Sequence, residues 1–271
     1  MGILYVFSDV LHFFLYRVIG YRKAVVMENL RGSFPEKSED ALRNIAKAFY
    51  RHLGDLIIES LRQFSISERE MRQRFQVANP EIMERLYAQG KNVAFVAGHY
   101  NNWELASTAL PLRVPNRMVG IYAPLKNKFF NNILVQSRSR FGLELLPKGK
   151  LNIKTLHEES KRPYGLMFAM DQSPSSANRV HWVTFLNRET AVASGTEWFA
   201  KQFDAVVVFA VLEKVRRGHY RATLEILEDR PKQAPESSIS ARFTQRLEAE
   251  IRERPEFWLW THRRWKRKRQ G

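Results

Sequence analysis

The sequence predicts an α/β protein: a mostly parallel central sheet flanked by helices, preceded by a helical, membrane-associated N-terminal segment. Three observations carry this expectation. From Gly90 onward, short apolar runs alternate with helical stretches, the signature of a layered α/β sheet. Before Gly90, helix-start signals dominate, and the window Met1–Gly20 is the most apolar part of the N-terminal region. A chain of 271 residues, 44% hydrophobic, can bury a substantial core. No repeat or Gly/Ser/Pro linker divides it, so a single α/β domain over 26–271 is expected after an N-terminal membrane-associated helix over 1–25.

In chain order, the N-terminal window places Ile3, Leu4, Phe7, Leu11, Phe14, Leu15 and Val18 at helical spacing, but Asp9, His12 and Arg17 interrupt it. A spanning helix wants about 20 apolar residues with few charges, and a signal peptide wants a basic start and a small-residue cleavage site. An interfacial helix fits better, with Arg17, Arg22 and Lys23 at headgroup level. Ser38-Glu39-Asp40 starts a helix running through Ala48, Leu53 and Ile57. Ser67 and Glu70 have capping-box spacing, and Asn79-Pro80-Glu81 opens a helix closed at Gly90. Buried strands are expected at Val93–Ala97, Met118–Tyr122, Leu143–Leu146, Gly165–Met170 and Val206–Val211. Helices are expected at Lys126–Phe141, Asn152–Lys161, Thr196–Phe203 and Ile239–Arg252, and the alternating run Tyr220–Leu227 reads as an edge strand.

Composition narrows the chemistry. Lys and Arg number 44 against 28 Asp and Glu, a net charge of +16, and six basic residues lie between Arg263 and Arg269. An anionic partner follows: nucleic acid, an acidic protein or phosphorylated lipid. Cysteine is absent, which excludes disulfides, thiolate metal sites and a Cys nucleophile. No His/Asp/Glu cluster has ligand spacing, so no metal is expected. Helix-turn-helix, zinc and RNP-type signatures are missing too, which together with the apolar N-terminus counts against a nucleic-acid-binding module.

Candidate chemistry lies at AFVAGHYNNWELA, residues 94–106. Functional groups collect at the carboxyl ends of strands in open α/β sheets, and His99 follows the expected strand Val93–Ala97 directly. Gly98 permits a sharp turn or close approach to a ligand, and Asn101-Asn102 can cap the next helix. Glu104 would then lie near enough to bond one imidazole nitrogen, leaving the other to take a proton from a hydroxyl. Read alone, a histidine with an acid five residues on is also an ordinary loop and surface pair.

The surrounding motifs decide between these. GHYNNWEL resembles the His-x4-acid motif of the lysophospholipid acyltransferase superfamily, in the form found in the bacterial late acyltransferases of lipid A biosynthesis. ENLRGSFPEKSEDALRNIAKAFYRHLGDLIIE, SRSRFGLELLPK, FAMDQSP and RPEFWLWTHRRWKRK resemble four further family elements in the same order, so the likeness runs from about Leu4 to Lys268. The resemblance implies transfer of a fatty acyl chain, usually from acidic acyl carrier protein, to a hydroxyl of a phosphorylated, acylated glucosamine disaccharide. It places that work at the cytoplasmic face of the inner membrane, with the acyl thioester as co-substrate and no cofactor.

Carried onto this chain, the resemblance makes His99 the general base, Glu104 its orienting acid and Arg138 a cation near the acceptor phosphate or the oxyanion. Arg140 competes for the arginine role. Gly98, Asn102, Asp171, Arg263 and Arg264 complete the expected substrate-binding set, although Asp171 could equally cap a turn with Ser173-Pro174. Trp258, Trp260 and Trp265 either pack the last segment on the core or sit at headgroup level. His262 reads as structural, and His181 and His219 as surface residues. The same motifs serve acyltransferases acting on other glycolipids or amino lipids, and the sequence does not choose the acceptor.

Overall fold

The computed structural model describes residues 2–148, 153–175 and 178–269; Met1 and Asn152, which open two of the expected helices, lie outside them. In chain order the elements are α1 (Gly2–Phe13), extended by a π-helical turn over Phe14–Val18, α2 (Lys23–Ser33), α3 (Glu39–Gln63), α4 (Glu68–Arg74), β1 (Phe75–Val77) and α5 (Glu81–Ala88). Then come β2 (Val93–Ala97), α6 (Trp103–Ala109), β3 (Arg117–Tyr122), α7 (Lys128–Ser139), β4 (Glu144–Pro147), α8 (Ile153–Glu159) and β5 (Tyr164–Ala169). A hairpin, β6 (Val180–Phe185) and β7 (Arg188–Ala193), precedes α9 (Gly195–Gln202), β8 (Val206–Arg216), β9 (His219–Glu228) and α10 (Ser238–Glu253).

The expected helix starts have the expected chemistry. Ser38 Oγ accepts from Ala41 N at the head of α3, and Ser67 Oγ accepts from Glu70 N at the head of α4. Asn79 behaves differently: its amide clasps both the N–H and C=O of Leu224, so it fastens α5 to β9 and leaves Pro80 in the cap position.

The seven-stranded sheet has the order β1-β9-β8-β2-β5-β3-β4. Its centre is parallel, and β9 runs antiparallel to β8. The central strand β2 and the Val206–Leu212 part of β8 are almost wholly buried, which is why they read as unbroken apolar runs. The alternating strand β9 is not at the edge: the short β1 pairs with it from Phe75↔Tyr220 to Val77↔Ala222. Alternation records a half-open face, and a strand can have one without being an edge. The β6–β7 hairpin has no counterpart among the expected elements, because its turn, Leu186-Asn187, takes positive φ at both residues without a glycine.

Helix α1 lies on α3 with its polar side inward. Ser8 Oγ donates to Asp55, Tyr5 Oη donates to Glu59, and Asp9 pairs with Arg217 of the β8–β9 turn. Its apolar side therefore faces outward: Ile3 is 77% exposed, and Val6, Phe7, Val10, Phe13, Phe14 and Val18 are exposed with it. Leu4, Leu11 and Leu15 are half-buried. Among the described residues no single helix is long and apolar enough to cross a membrane, although the α1 stretch Gly2–Val18 and α2, meeting at 84°, pass together by length and composition.

Asp55 anchors this arrangement, accepting from Ser8, Lys214 and Arg217 while almost fully buried. Removing one partner of a buried ion cluster leaves uncompensated charge, a loss of about 3–5 kcal/mol. Asp55→Ala is therefore expected to lower unfolding stability by about 3 kcal/mol in urea titration, whereas exposed Asp40→Ala should change it by less than about 0.5 kcal/mol.

Candidate active site

Strand β2 ends at Ala97, and the chain crosses the carboxyl edge of the sheet through Gly98 and His99. Gly98 is favoured by packing: a Cβ there would meet the Leu247 methyl carbons of α10 at 2.7 and 2.8 Å, so that side chain would have to shift. The close approach that the glycine permits is thus to a helix. The segment 255–260 runs alongside, with Asn101 N donating to Phe257 O and Leu259 N donating to His99 O. Asn101 takes a left-handed φ of 55°, and Asn102 Oδ1 caps α6 by accepting from Leu105 N at 2.9 Å. Asn102 Nδ2 donates to Glu59 at 2.6 Å, so this buried side chain is committed at both ends and faces the interior.

His99 is held by Asp171, from the turn after β5. Asp171 Oδ1 lies 2.7 Å from His99 Nδ1, Oδ2 accepts from His99 N at 2.8 Å, and Oδ2 also accepts from the Trp258 indole N–H at 2.8 Å. Burial by itself would raise the Asp171 carboxyl, but the charge and hydrogen bonds of His99 and the indole donor outweigh it and hold the group at about 2. An ionised Asp171 fixes Nδ1 as the donor, which leaves the Nε2 lone pair as an acceptor. Burial works to lower the His99 pKa, but Asp171, with help from the Glu104 charge, carries it above the ordinary 6.5. Gln172 Nε2 is 3.1 Å from His99 Nε2, and the Trp103 ring meets the imidazole edge to face.

The acid expected on the imidazole was Glu104. The structure puts Asp171 there instead and gives Glu104 to Arg138, with Nε to Oε2 at 3.0 Å and Nη2 to Oε1 at 2.6 Å. The geometric reason is the cap at Asn102. It starts α6 with Glu104 in the first turn, on the side facing α7, while the end of β5 lies beside the end of β2, where Ala97 pairs with Ala169. Sequence proximity favoured Glu104, and strand pairing brought a residue from 72 positions away.

Of the two candidate arginines, Arg138 lines the cavity at His99, and Arg140 turns away to donate to the carbonyls of Gln63 and Phe64. Arg263 is exposed. Arg264 is not available to a substrate: it is 2% exposed, donates to Ala191 O of β7, and burial lowers its pKa to about 10. The tryptophans pack the closing segment on the core. Trp258 and Trp260 are buried, and half-buried Trp265 donates to Thr190. His262 Nε2 accepts from Ser173 N and so braces the turn that carries Asp171. His181 is not a free surface residue, being bonded to Ser237 Oγ with only 13% of its side chain exposed. Trp103 and Gln172 were not singled out in the sequence; an aromatic residue in an α6 start and an amide after a strand-end acid carry no distinctive signal there.

The cavity beside His99 has a volume of about 180 Å³ and lies between the sheet residues Phe95, Gly120 and Met167 and the residues Trp103 and Arg138. Its walls are mainly apolar, with the imidazole, Glu104 and Arg138 at one end. Among the described residues no group of three His, Asp or Glu side chains is placed to hold a metal ion.

A carboxylate-backed imidazole beside an apolar cavity is compatible with acyl transfer, and the likeness to known proteins puts the chain in the acyltransferase class. Residues 4–267 match the family described as bacterial lipid A biosynthesis acyltransferase, and the chain belongs to that family. It is 26% identical to a lipid A biosynthesis acyltransferase of Haemophilus influenzae over 250 residues, 90% of this chain and 78% of that protein. It is 23% identical to the lipid A biosynthesis palmitoleoyltransferase of Escherichia coli over 247 residues, 90% of this chain and 79% of that protein. The Escherichia coli lipid A biosynthesis lauroyltransferase is 23% identical over 256 residues, 94% of this chain and 82% of that protein.

The raised His99 pKa gives a measurable sign. Pairing of the imidazolium with Asp171 stabilises the fold fully below the unfolded-state value of 6.5, and this stabilisation is lost as pH rises through the higher folded value. NMR titration of ring-labelled protein should show the His99 midpoint above 6.5, and Asp171→Asn should move it downward. A midpoint that does not respond to Asp171→Asn would remove the carboxylate as its cause.

Proposed function

We propose that the protein transfers a fatty acyl chain from an acyl thioester, with acidic acyl carrier protein as donor, to a hydroxyl of a lipid A precursor at the cytoplasmic face of the inner membrane. The observation that carries this reading is the Asp171–His99 hydrogen bond, which leaves Nε2 as the proton acceptor of a histidine that lines an apolar cavity. A hydroxyl entering there displaces Gln172 from Nε2 and gives its proton to the imidazole as its oxygen attacks the thioester carbonyl. The C–S bond then breaks, and the imidazolium returns the proton to the departing thiolate. A thioester is already activated, so no covalent enzyme intermediate, cofactor or metal is required. Asp171 orients the base and offsets the charge it acquires. Arg138, held at the cavity wall by Glu104, supplies positive charge to the oxyanion or to an acceptor phosphate.

The outward apolar side of α1 supports work at a membrane surface. Tyr5, Ser8 and Asp9 of the helix are engaged by Glu59, Asp55 and Arg217, and the residues left on its outward face are mainly apolar. Arg17 and Lys23, exposed at the end of that face, match an anionic headgroup layer. The names of the relatives support lipid A as the acceptor class.

Purified His99→Ala is expected to lose acyl transfer by about 10²–10⁴-fold while keeping its fold and vesicle binding, and undiminished turnover would refute the base assignment. Glu104→Ala, which frees Arg138, should lower transfer without moving the His99 titration midpoint as far as Asp171→Asn does. The acceptor is tested by mass spectrometry of lipids from cells lacking the protein. A lipid A species short by one acyl chain is expected, and an unaltered lipid A with another lipid underacylated would reassign the acceptor.

A further inference from the structure

The Glu104–Arg138 ion pair separates two apolar spaces, and only one of them contains His99. On its other side lies a groove of about 360 Å³ between α3 and α7. Leu56, Ile57, Leu61 and Phe64 of α3 form one wall, Leu134 of α7 lies opposite, and Leu259 and Trp103 contribute to the base. Trp103, Glu104 and Arg138 line both spaces, so the groove runs up to the same ion pair that closes the His99 cavity. The two walls are tied at one end by Arg140, whose guanidinium donates to the carbonyls of Gln63 and Phe64 at 3.0 and 2.9 Å. That is a built feature: a cation spends its hydrogen bonds holding α7 against the end of α3. The groove is open at its lip, where Leu61 is 59% and Phe64 is 44% exposed.

We propose that this groove holds a hydrocarbon chain of the acceptor lipid, while the His99 cavity takes the acyl chain of the donor. The assignment rests on the acyl-transfer reading above. Transfer to a lipid brings two hydrocarbon-bearing substrates to one imidazole, and two chains cannot share a cavity of about 180 Å³ with the reacting groups. The His99 cavity lies at the carboxyl edge of the sheet, lined by Phe95, Gly120 and Met167, beside the imidazole that the donor thioester must reach. The groove is open along its side on α3, the same helix that bears α1 with its outward apolar face. A chain that remains part of a membrane lipid can enter sideways only through such an opening. Its polar end then lies at Glu104 and Arg138, the charged residues common to both spaces, within the site where His99 acts. The ion pair becomes the divider that keeps the two chains apart while their functional ends meet.

The test uses the full chain and a lipid A precursor whose hydroxyacyl chain ends in a photoreactive diazirine. After irradiation and digestion, adducts are expected on residues 53–64 and on Leu134. Adducts confined to Phe95, Gly120 and Met167, or no adduct on α3, would overturn the groove assignment. Kinetics give an independent reading. Ile57→Trp and the more exposed Leu61→Trp, each with its fold verified by circular dichroism, should raise KM for the acceptor about tenfold, with the thioester KM changed by less than about twofold. An unchanged acceptor KM in both variants overturns the groove while acyl transfer stands. A wild-type protein that moves no acyl chain to any lipid hydroxyl overturns the proposed function itself.

Discussion

Asp171 is the constraint around which the site is organised. A carboxylate with no access to water must be satisfied by donors, and three supply it: the backbone N–H of His99, its imidazole Nδ1 and the Trp258 indole. Two come from His99 and one from the closing segment, so satisfying one buried charge fixes the end of β5, the loop after β2 and the closing segment relative to each other. The low Asp171 pKa and the raised His99 pKa are two readings of that single interaction. His262 extends the constraint by bracing the turn after Asp171 through Ser173 N.

A second buried carboxylate connects this centre to the outside of the molecule. Glu59 of α3 receives the Tyr5 hydroxyl of α1, the Tyr220 hydroxyl of β9 and the Asn102 amide that caps α6. Burial raises its pKa against the opposing pull of the two hydroxyls. The N-terminal helix is therefore fastened by polar contacts, contrary to the usual arrangement of a surface helix. Its apolar residues are left outside as a consequence of what its polar residues do inside. The same α3 also walls the open groove, so one long helix organises both the outward apolar face and the entrance beside the ion pair.

Much of the sheet was legible. The strand Val93–Ala97 is found with those limits, and β3 and β5 lie within one residue of the apolar runs that predict them, because strands buried between neighbours are apolar; β8 starts at Val206 as expected but runs on to Arg216, where exposed polar residues gave no apolar signal. Helix caps at Ser38 and Ser67 were legible because capping is a local exchange between one hydroxyl and a backbone N–H three residues away. What could not be read was any feature whose cause is remote. The covered position of β9 depends on the three-residue β1, the β6–β7 turn takes its conformation without glycine, and Asn79 is used by β9 in preference to its own helix.

The site divides along the same line. The motif around residues 98–104 placed a histidine at the carboxyl end of a strand and a carboxylate in the next helix, and both stand where that motif puts them. The sequence by itself determined which residue types meet at this edge of the sheet, since strand and cap are encoded by near neighbours. Only the tertiary structure decided their partners: Asp171 for His99, Arg138 for Glu104, the α3 carbonyls for Arg140 and the β7 carbonyl for Arg264. The physical reason is that a charged side chain pairs with whatever the packed elements bring within about 3 Å, and strand order, unlike helix caps, is set by contacts distant in the chain.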